Sequence, residues 1–284
     1  MNMDNRQKIY LIGSFASFRD RIIDALPDAD FADPRNHHQA SCTKMVYEDM
    51  LEAEECPVAL AVFPRGKRGT MSYAELGASA VHRNRIICVD EDTENPDPLL
   101  RKISSEYFTS IDDAIDFLKE NPGLSAGNRI GNVESRYPAG TSPESVVPMQ
   151  KIYICGTIDE KIKRAAWAAD GISPDKYFIF REDTYEDFRK ILDYDLVLAY
   201  FSSKEDWDRD ACFMMGAAYA HDISILIVDE HEWKYPPLQA LARRHTTIEH
   251  VVEYLTEVQD LNISREAVNM YNFFKRDMNG KKGR

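Results

Sequence analysis

The chain has 284 residues, of which 44% are hydrophobic and 29% are charged, and its formal net charge is −13. This length predicts about two domains of ~100–150 residues. Nucleic-acid backbones are bound by clustered cations, so such an acidic composition argues against a nucleic-acid polymer as partner and favours a small-molecule ligand.

Membrane spans and export signals are not expected. No apolar run reaches the ~18 residues that a membrane-spanning helix needs, and the opening MNMDNRQ leads into a strand without the features of a signal peptide. We therefore expect a cytoplasmic protein with no membrane partner. The five cysteines form neither CxxC pairs nor a close-spaced even set, which predicts reduced, mostly structural thiols.

The first half of the chain alternates predicted strands with predicted helices. A β-rich run at 8–12 ends in Gly13 and Ser14. A helix around Asp49 precedes the apolar run 58–63, and a helix of small residues at 74–80 precedes the strand 86–90. Apolar strands in this alternation are typical of a parallel sheet covered on both faces, whose ligand crevice lies at the carboxyl ends of the strands.

The second half repeats this pattern. The segments 151–157, 196–201, 213–219 and 225–229 match the first strand and turn, the buried strand, the small-residue helix and the following strand. We therefore predict an α/β protein of two tandem doubly wound (flavodoxin- or Rossmann-like) parallel-sheet domains, packed as an internal pseudo-dimer.

The predicted boundaries follow from the repeat. The first domain covers 1–120, a linker rich in Gly, Pro, Ser and Asn covers 121–150, and the second domain covers 151–284. A final helix is predicted over 264–275, where Val268, Tyr271 and Phe274 would form its apolar face.

The residues that could carry chemistry in the first domain are predicted to face one crevice. Asp49 and Glu75 lie on helices, and the other candidates lie on strand one or in loops: Tyr10, Gly13, Ser14, Phe15, Asp33, Arg35, Arg65 and Gly69. Simpler interpretations stay open for both acids. Ser72-x-x-Glu75 has the pattern of a capping box, in which Glu75 would only bind backbone donors, and Asp49 could be an ordinary solvated acid.

These residues, in this order, resemble the nucleoside 2-deoxyribosyltransferase family and the related nucleotide N-glycosidases, over most of the first domain. Residues 9–13 are similar to the family's opening strand and turn, Asp49 matches its base-contacting aspartate, and Glu75 in Ala-Glu-Leu-Gly matches its nucleophile. The resemblance implies that Glu75 attacks C1′ of the sugar while Asp49 serves the departing base. A carboxylate suits this reaction because the transition state is oxocarbenium-like.

The second domain is predicted to be inactive. It retains Tyr153, Gly156, Thr157 and Asp187, but Met214 stands where the nucleophile is required, and a thioether cannot form a glycosyl ester. Members of the family form oligomers in which one subunit helps to close its neighbour's site. The resemblance therefore implies that the second domain is an internal partner, with further homo-oligomerisation open.

No cofactor and no metal are expected. The chain has no GxGxxG motif after strand one and no Walker lysine, and neighbouring His37 and His38 lack the spacing of a zinc site. Arg65, Lys67 and Arg68 form a basic loop beside the crevice, which is either a phosphate site or an ordinary solvated turn.

The sequence thus favours an enzyme that cleaves the N-glycosidic bond of a 2′-deoxynucleoside or its 5′-monophosphate. Transfer to a second base and hydrolysis share the first half-reaction, and the residues do not separate them. The alternative is a non-catalytic nucleotide-binding sensor or regulatory module, since the second domain has already lost the nucleophile.

Overall fold

The computed structural model describes residues 7–37, 41–124, 151–172, 177–203, 208–230, 236–245 and 247–251. These residues form two parallel five-stranded sheets, one in each half of the chain. Most of the predicted linker (125–150) and the predicted helix at 264–275 lie outside the described residues. Within the described ranges, no helix is long and apolar enough to cross a bilayer.

The first unit is a doubly wound sheet. Its strands follow the order β2-β1-β3-β4-β5, and every pairing is parallel. The elements are β1 (Lys8–Gly13), α1 (Phe18–Ala25), β2 (Asp30–Ala32), α2 (Cys42–Glu55), β3 (Val58–Phe63), α3 (Thr70–Val81), β4 (Arg85–Asp90), α4 (Pro98–Ile103), β5 (Glu106–Phe108) and α5 (Ile111–Glu120).

The second unit repeats this topology. Its order β7-β6-β8-β9-β10, again all parallel, places corresponding strands in corresponding positions. The elements are β6 (Lys151–Gly156), α6 (Glu160–Ile172), β7 (Tyr177–Phe180), α7 (Thr184–Arg189), β8 (Leu196–Phe201), α8 (Arg209–Ala220), β9 (Ser224–Asp229), α9 (Pro236–Leu241) and β10 (Arg243–His245). The predicted fold of two tandem doubly wound units is confirmed.

The apolar strands explain why both faces of each sheet are covered. Every residue of β3 and of β8 is buried, as expected for a central strand with helices on both sides. On one face of the first sheet, Ile9 and Leu11 pack with Phe18 and Ile22 of α1 and with α5. On the other face, the core of α2 and α3 continues without interruption into residues of the second unit. The two units therefore share one hydrophobic core.

The helices α3 and α8 cross at a pair of glycines. A Cβ atom added to Gly77 would lie 2.0 Å from the carbonyl oxygen of Phe213, and one added to Gly216 would lie 1.8 Å from that of Ala74. Both obstacles are backbone atoms, which cannot move aside as a flexible side chain can. The absence of a side chain at these positions lets the two helices approach closely enough to form the shared core.

Gly77→Ala should therefore destabilise the whole chain by ~1–3 kcal/mol or more, because the added methyl group forces the two units apart. Urea denaturation followed by circular dichroism measures the effect. Gly123→Ala is the matched control, since a Cβ there meets nothing within 4 Å. Equal denaturation midpoints for the two variants would contradict this account of the crossing.

Candidate functional site

The candidate site lies at the carboxyl ends of β1 and β3, where the strand order of the first sheet reverses direction. Open α/β sheets bind ligands at such switch points. Gly13 ends β1 with a φ of +133°, and a Cβ there would lie 2.4 Å from the carbonyl oxygen of Val62. Glycine is required at this turn, because a side chain would be both strained and in collision with β3.

A buried arginine holds this turn in place. The guanidinium of Arg19, on α1, is fully buried. It donates to the carbonyl oxygens of Leu11 (3.1 Å), Gly13 (2.6 Å) and Ser14 (3.1 Å). It also donates to the carboxylate of Asp33 at 2.9 Å. Arg19 is not among the residues predicted from the sequence, where its signal is its place between the core positions Phe18 and Ile22.

Asp33 and Arg35 are brought together with Arg19 as an ion-pair network. Arg35 donates to Asp33 through Nε and Nη2 (both 2.7 Å) and to Asp20 at 2.6 Å. These bonds lower the pKa of Asp33 against the effect of its burial. The two residues predicted to bind substrate thus use much of their charge on each other, and their binding role stays a prediction.

Glu75 lies inside α3 rather than at its start. The helix begins at Thr70 after the N-cap residue Gly69, so Glu75 stands in the second turn and does not form the predicted capping box. Its side chain is buried, and within the described residues no hydrogen bond reaches its carboxylate. Burial raises its pKa well above the usual range, the negative charge of Asp49 raises it further, and the positive charge of Arg19 opposes both.

Asp49 is also buried, which excludes the simpler interpretation of a solvated acid. Burial raises its pKa to about 6, although a contact with His37 opposes the rise. His37 Nδ1 lies 2.6 Å from Asp49 Oδ1, which is hydrogen-bond distance, and the tautomer of the imidazole decides which of the two atoms donates. The contact between His37 and Asp49 was not predicted from the sequence.

Tyr10 completes the group of buried acids. It is fully buried, and its hydroxyl has no hydrogen-bond partner among the described residues. Burial raises its pKa, and the charges of Glu75 and Asp49 raise it further. Phe15 is largely exposed, and its ring lies beside the guanidinium of Arg19. The Oγ atom of Ser14, like the hydroxyl of Tyr10, is buried without a hydrogen-bond partner in the described ranges. Unpartnered buried hydroxyls are rare in folded proteins and are common where a ligand completes the bonding.

The basic loop at 64–69 is partly neutralised by the protein itself. Arg68 donates to both carboxylate oxygens of Asp90 (2.8 and 2.9 Å) and to the carbonyl of Asn95 (2.7 Å), and Arg65 pairs with Glu94 at the surface. Within the described residues, Lys67 has no ion pair. Of the three cations that suggested a phosphate site, Lys67 is therefore the most available to a ligand.

The start of α3 differs from the start of its counterpart. No side chain caps α3, whereas α8 begins after Asp208, whose carboxylate accepts from the backbone N–H of Asp210. The helix N-terminus carries a partial positive charge, and an aspartate at the N-cap occupies it. Gly69 leaves this end of α3 open to an anion from outside the chain.

The second unit shows how the same fold looks without a nucleophile. Tyr153, at the position of Tyr10, donates to the carboxylate of Asp187 at 2.8 Å, and Met214 is fully buried at the position of Glu75. The tyrosine and aspartate thus bond each other directly. In the first unit they do not, since Asp49 contacts His37 instead and the hydroxyl of Tyr10 has no hydrogen-bond partner among the described residues.

The described residues contain no group of three His, Cys, Asp or Glu side chains arranged to hold a metal ion. All five cysteines are free, and four of them are buried in the cores.

Comparisons with known proteins identify no relative in sequence: no protein-family model matches the chain, and no curated protein matches it. Among solved structures it is similar to a heptosyltransferase from E. coli with ADP-2-deoxy-2-fluoro heptose, at 9% identity over 95% of this chain and 99% of that chain, with a TM-score of 0.26. It is also similar to a ketoreductase domain from the bacillaene assembly line, at 9% identity over 98% of this chain and 78% of that chain, with a TM-score of 0.27. Scores of this size do not indicate a shared fold and say nothing about ligand or reaction.

Proposed function

We propose that the first unit cleaves the N-glycosidic bond of a 2′-deoxynucleoside or its 5′-monophosphate, with Glu75 as nucleophile and Asp49 serving the base. The observation that carries this proposal is the burial of Tyr10, Asp49 and Glu75 within electrostatic reach of one another at the switch point of the sheet. Burying acids together costs free energy of folding. Clusters of buried titratable groups with shifted pKa values are therefore typical of functional sites.

The protonation of the two carboxyl groups suits the first half-reaction. Burial raises the pKa of Asp49 to about 6 and that of Glu75 well above its usual range, and the negative charge of Asp49 raises the pKa of Glu75 further. In the reactive form the proton lies on Asp49 and Glu75 is ionised. A base placed against Asp49 receives this proton on its acceptor nitrogen as the C1′–N bond breaks. Glu75 is then the carboxylate that stabilises the positive charge on the sugar and bonds to C1′.

The intermediate is an ester between Glu75 and C1′, and its fate defines the product. Attack by a second base at C1′ regenerates the Glu75 carboxylate and gives a new nucleoside, whereas attack by water gives the free sugar. In both cases Asp49 can accept the proton that the incoming group loses.

The experiment is chromatography of the protein incubated with a panel of 2′-deoxynucleosides and their monophosphates, with and without adenine as acceptor. Free base without acceptor indicates hydrolysis, and a new nucleoside with adenine indicates transfer. Tight binding of a nucleotide with no product after long incubation would refute the enzyme and favour the sensor.

The 5′-phosphate is proposed to lie at the open start of α3 near Lys67. If so, the double variant Arg65→Ala/Lys67→Ala should raise KM for a monophosphate about tenfold and leave KM for the nucleoside unchanged, since the lost contacts concern only the phosphate. Arg68 is left intact because it is bound to Asp90. Lys44→Ala, which removes an exposed cation on α2, is the control. An unchanged KM for the monophosphate would exclude this site.

A further inference from the structure

The buried guanidinium of Arg19 is not explained by the fold. A buried arginine is costly unless its charge and its donors are used, and here it is wholly buried with one carboxylate, Asp33, that it shares with Arg35. Its other hydrogen bonds go to the carbonyl oxygens of the turn after β1.

The second unit builds the same turn without such a residue. Gly156 has a φ of +88° and closes on β8 as Gly13 closes on β3. Counted from the glycine of each turn, Ile162 of α6 occupies the position of Arg19, and it is a buried apolar residue. The next residue, Lys163, is partly exposed and pairs with Glu160 on its own helix. The turn therefore does not require a buried arginine.

The buried Arg19 lies in the same unit as the buried acids Asp49 and Glu75. Glu75 faces Asp49 from α2, Tyr10 from β1 and Arg19 from α1, while α8 approaches α3 with backbone atoms of Phe213 and Ala217. Asp49 also faces His37 and Glu48. Among the charges that act on Glu75, Arg19 supplies the positive one, and it lowers the pKa of Glu75, Asp49 and Tyr10 against their burial.

We propose that Arg19 is a positioning residue for the glycosidic reaction: it fixes the Gly13–Ser14 turn and supplies a buried positive charge that favours the carboxylate form of Glu75. This inference rests on the proposed function. It deepens the proposed function by giving α1 a role in the site, because none of the site residues predicted from the sequence lies on α1.

The test compares Arg19→Met, which removes the charge, with Arg19→Lys, which keeps it. With Arg19→Met we expect kcat to fall about 100-fold and KM to change less than about threefold, and the acid limb of the kcat/KM profile to move up by ~1 pH unit or more. Arg19→Lys should restore the acid limb but only part of the rate, because an ammonium has three N–H donors on one atom and cannot replace the guanidinium, which bonds three carbonyls and Asp33. Arg21→Met, an exposed arginine two residues along α1 that pairs with Asp112, should change nothing.

A titration independent of turnover separates this inference from the proposed function. In protein labelled with ¹³C at the side-chain carboxyl groups, the Glu75 signal is identified by its loss in Glu75→Gln and followed by NMR against pH. We expect Arg19→Met to move this titration upward by ~1 unit or more even if the wild-type protein releases no base. If Arg19→Met does not fold, Arg19→Met/Asp33→Asn removes the charge without stranding a buried carboxylate. A Glu75 titration that superimposes on that of the wild type would overturn the inference, whatever the activity.

Discussion

Glu75→Gln should lower the rate of base release by at least about 10⁴-fold while the protein stays folded. The amide keeps the size of the side chain but cannot bond to C1′ or balance a positive charge on the sugar. The measurement is single-turnover base release, followed by chromatography on the preferred substrate. The control is Glu55→Gln, which changes an exposed acid on α2 and should be fully active. Residual activity within tenfold of the wild type would remove Glu75 from the reaction.

The same substitution should make the protein more stable at neutral pH. Burial raises the pKa of Glu75, so the folded protein retains a proton that the unfolded chain has already lost above pH ~4.3. The stability of the wild type therefore falls as the pH rises from that value through the raised pKa. Glutamine does not ionise, so its burial does not become less favourable as the pH rises. We therefore expect Glu75→Gln to raise the free energy of unfolding by on the order of 1 kcal/mol at pH 7 and to change it very little at pH 4. An equal gain at both values would contradict a raised pKa.

Asp49→Asn should slow the release of adenine or guanine by about 10²–10⁴-fold, the usual loss when a general acid is removed. The loss should nearly vanish for a substrate whose base departs without taking a proton. Glu75 remains in place, so the comparison isolates the proton from the nucleophile. Asp116→Asn, an exposed acid on α5, is the matched control. The same loss of rate with both leaving groups would show that Asp49 positions other groups in the site and does not donate a proton to the base.

The pH profile gives a second test of Asp49. Burial raises its pKa to about 6, so the wild-type rate with a base that needs protonation should fall on the basic side as the proton is lost. The basic limb should be absent from the residual activity of Asp49→Asn, because an amide does not titrate in this range. A limb that persists unchanged would assign the proton to another group.

The fold could be predicted because its determinants are local. Fully apolar strands, the glycine that ends β1 and the second copy of the same pattern are visible in a few consecutive residues each. The group of Tyr10, Asp49 and Glu75 followed from the resemblance and from the rule that strand ends of a parallel sheet meet at one edge. The absence of the nucleophile from the second unit could also be predicted, because the repeat aligns Met214 with Glu75.

The partners inside the site could not be predicted, because they join residues that are distant in sequence. An arginine on α1 is expected at the surface, whereas Arg19 is buried and bonds the turn after β1 and Asp33 beyond it. The basic loop was predicted to be either a phosphate site or a solvated turn, and its own residues do not indicate that Asp90, 22 residues later, binds Arg68. His37 was considered for a metal, and its actual partner Asp49 lies on the following helix.

The glycine crossing of α3 and α8 has a consequence for how the activity depends on dilution. The helix that carries Glu75 is covered by a helix of the same polypeptide, so the neighbour is present at an effective concentration that no dilution lowers. An assembly of separate subunits loses its partner at low concentration by mass action, whereas a tethered one does not. Specific activity should accordingly be the same at nanomolar and micromolar protein.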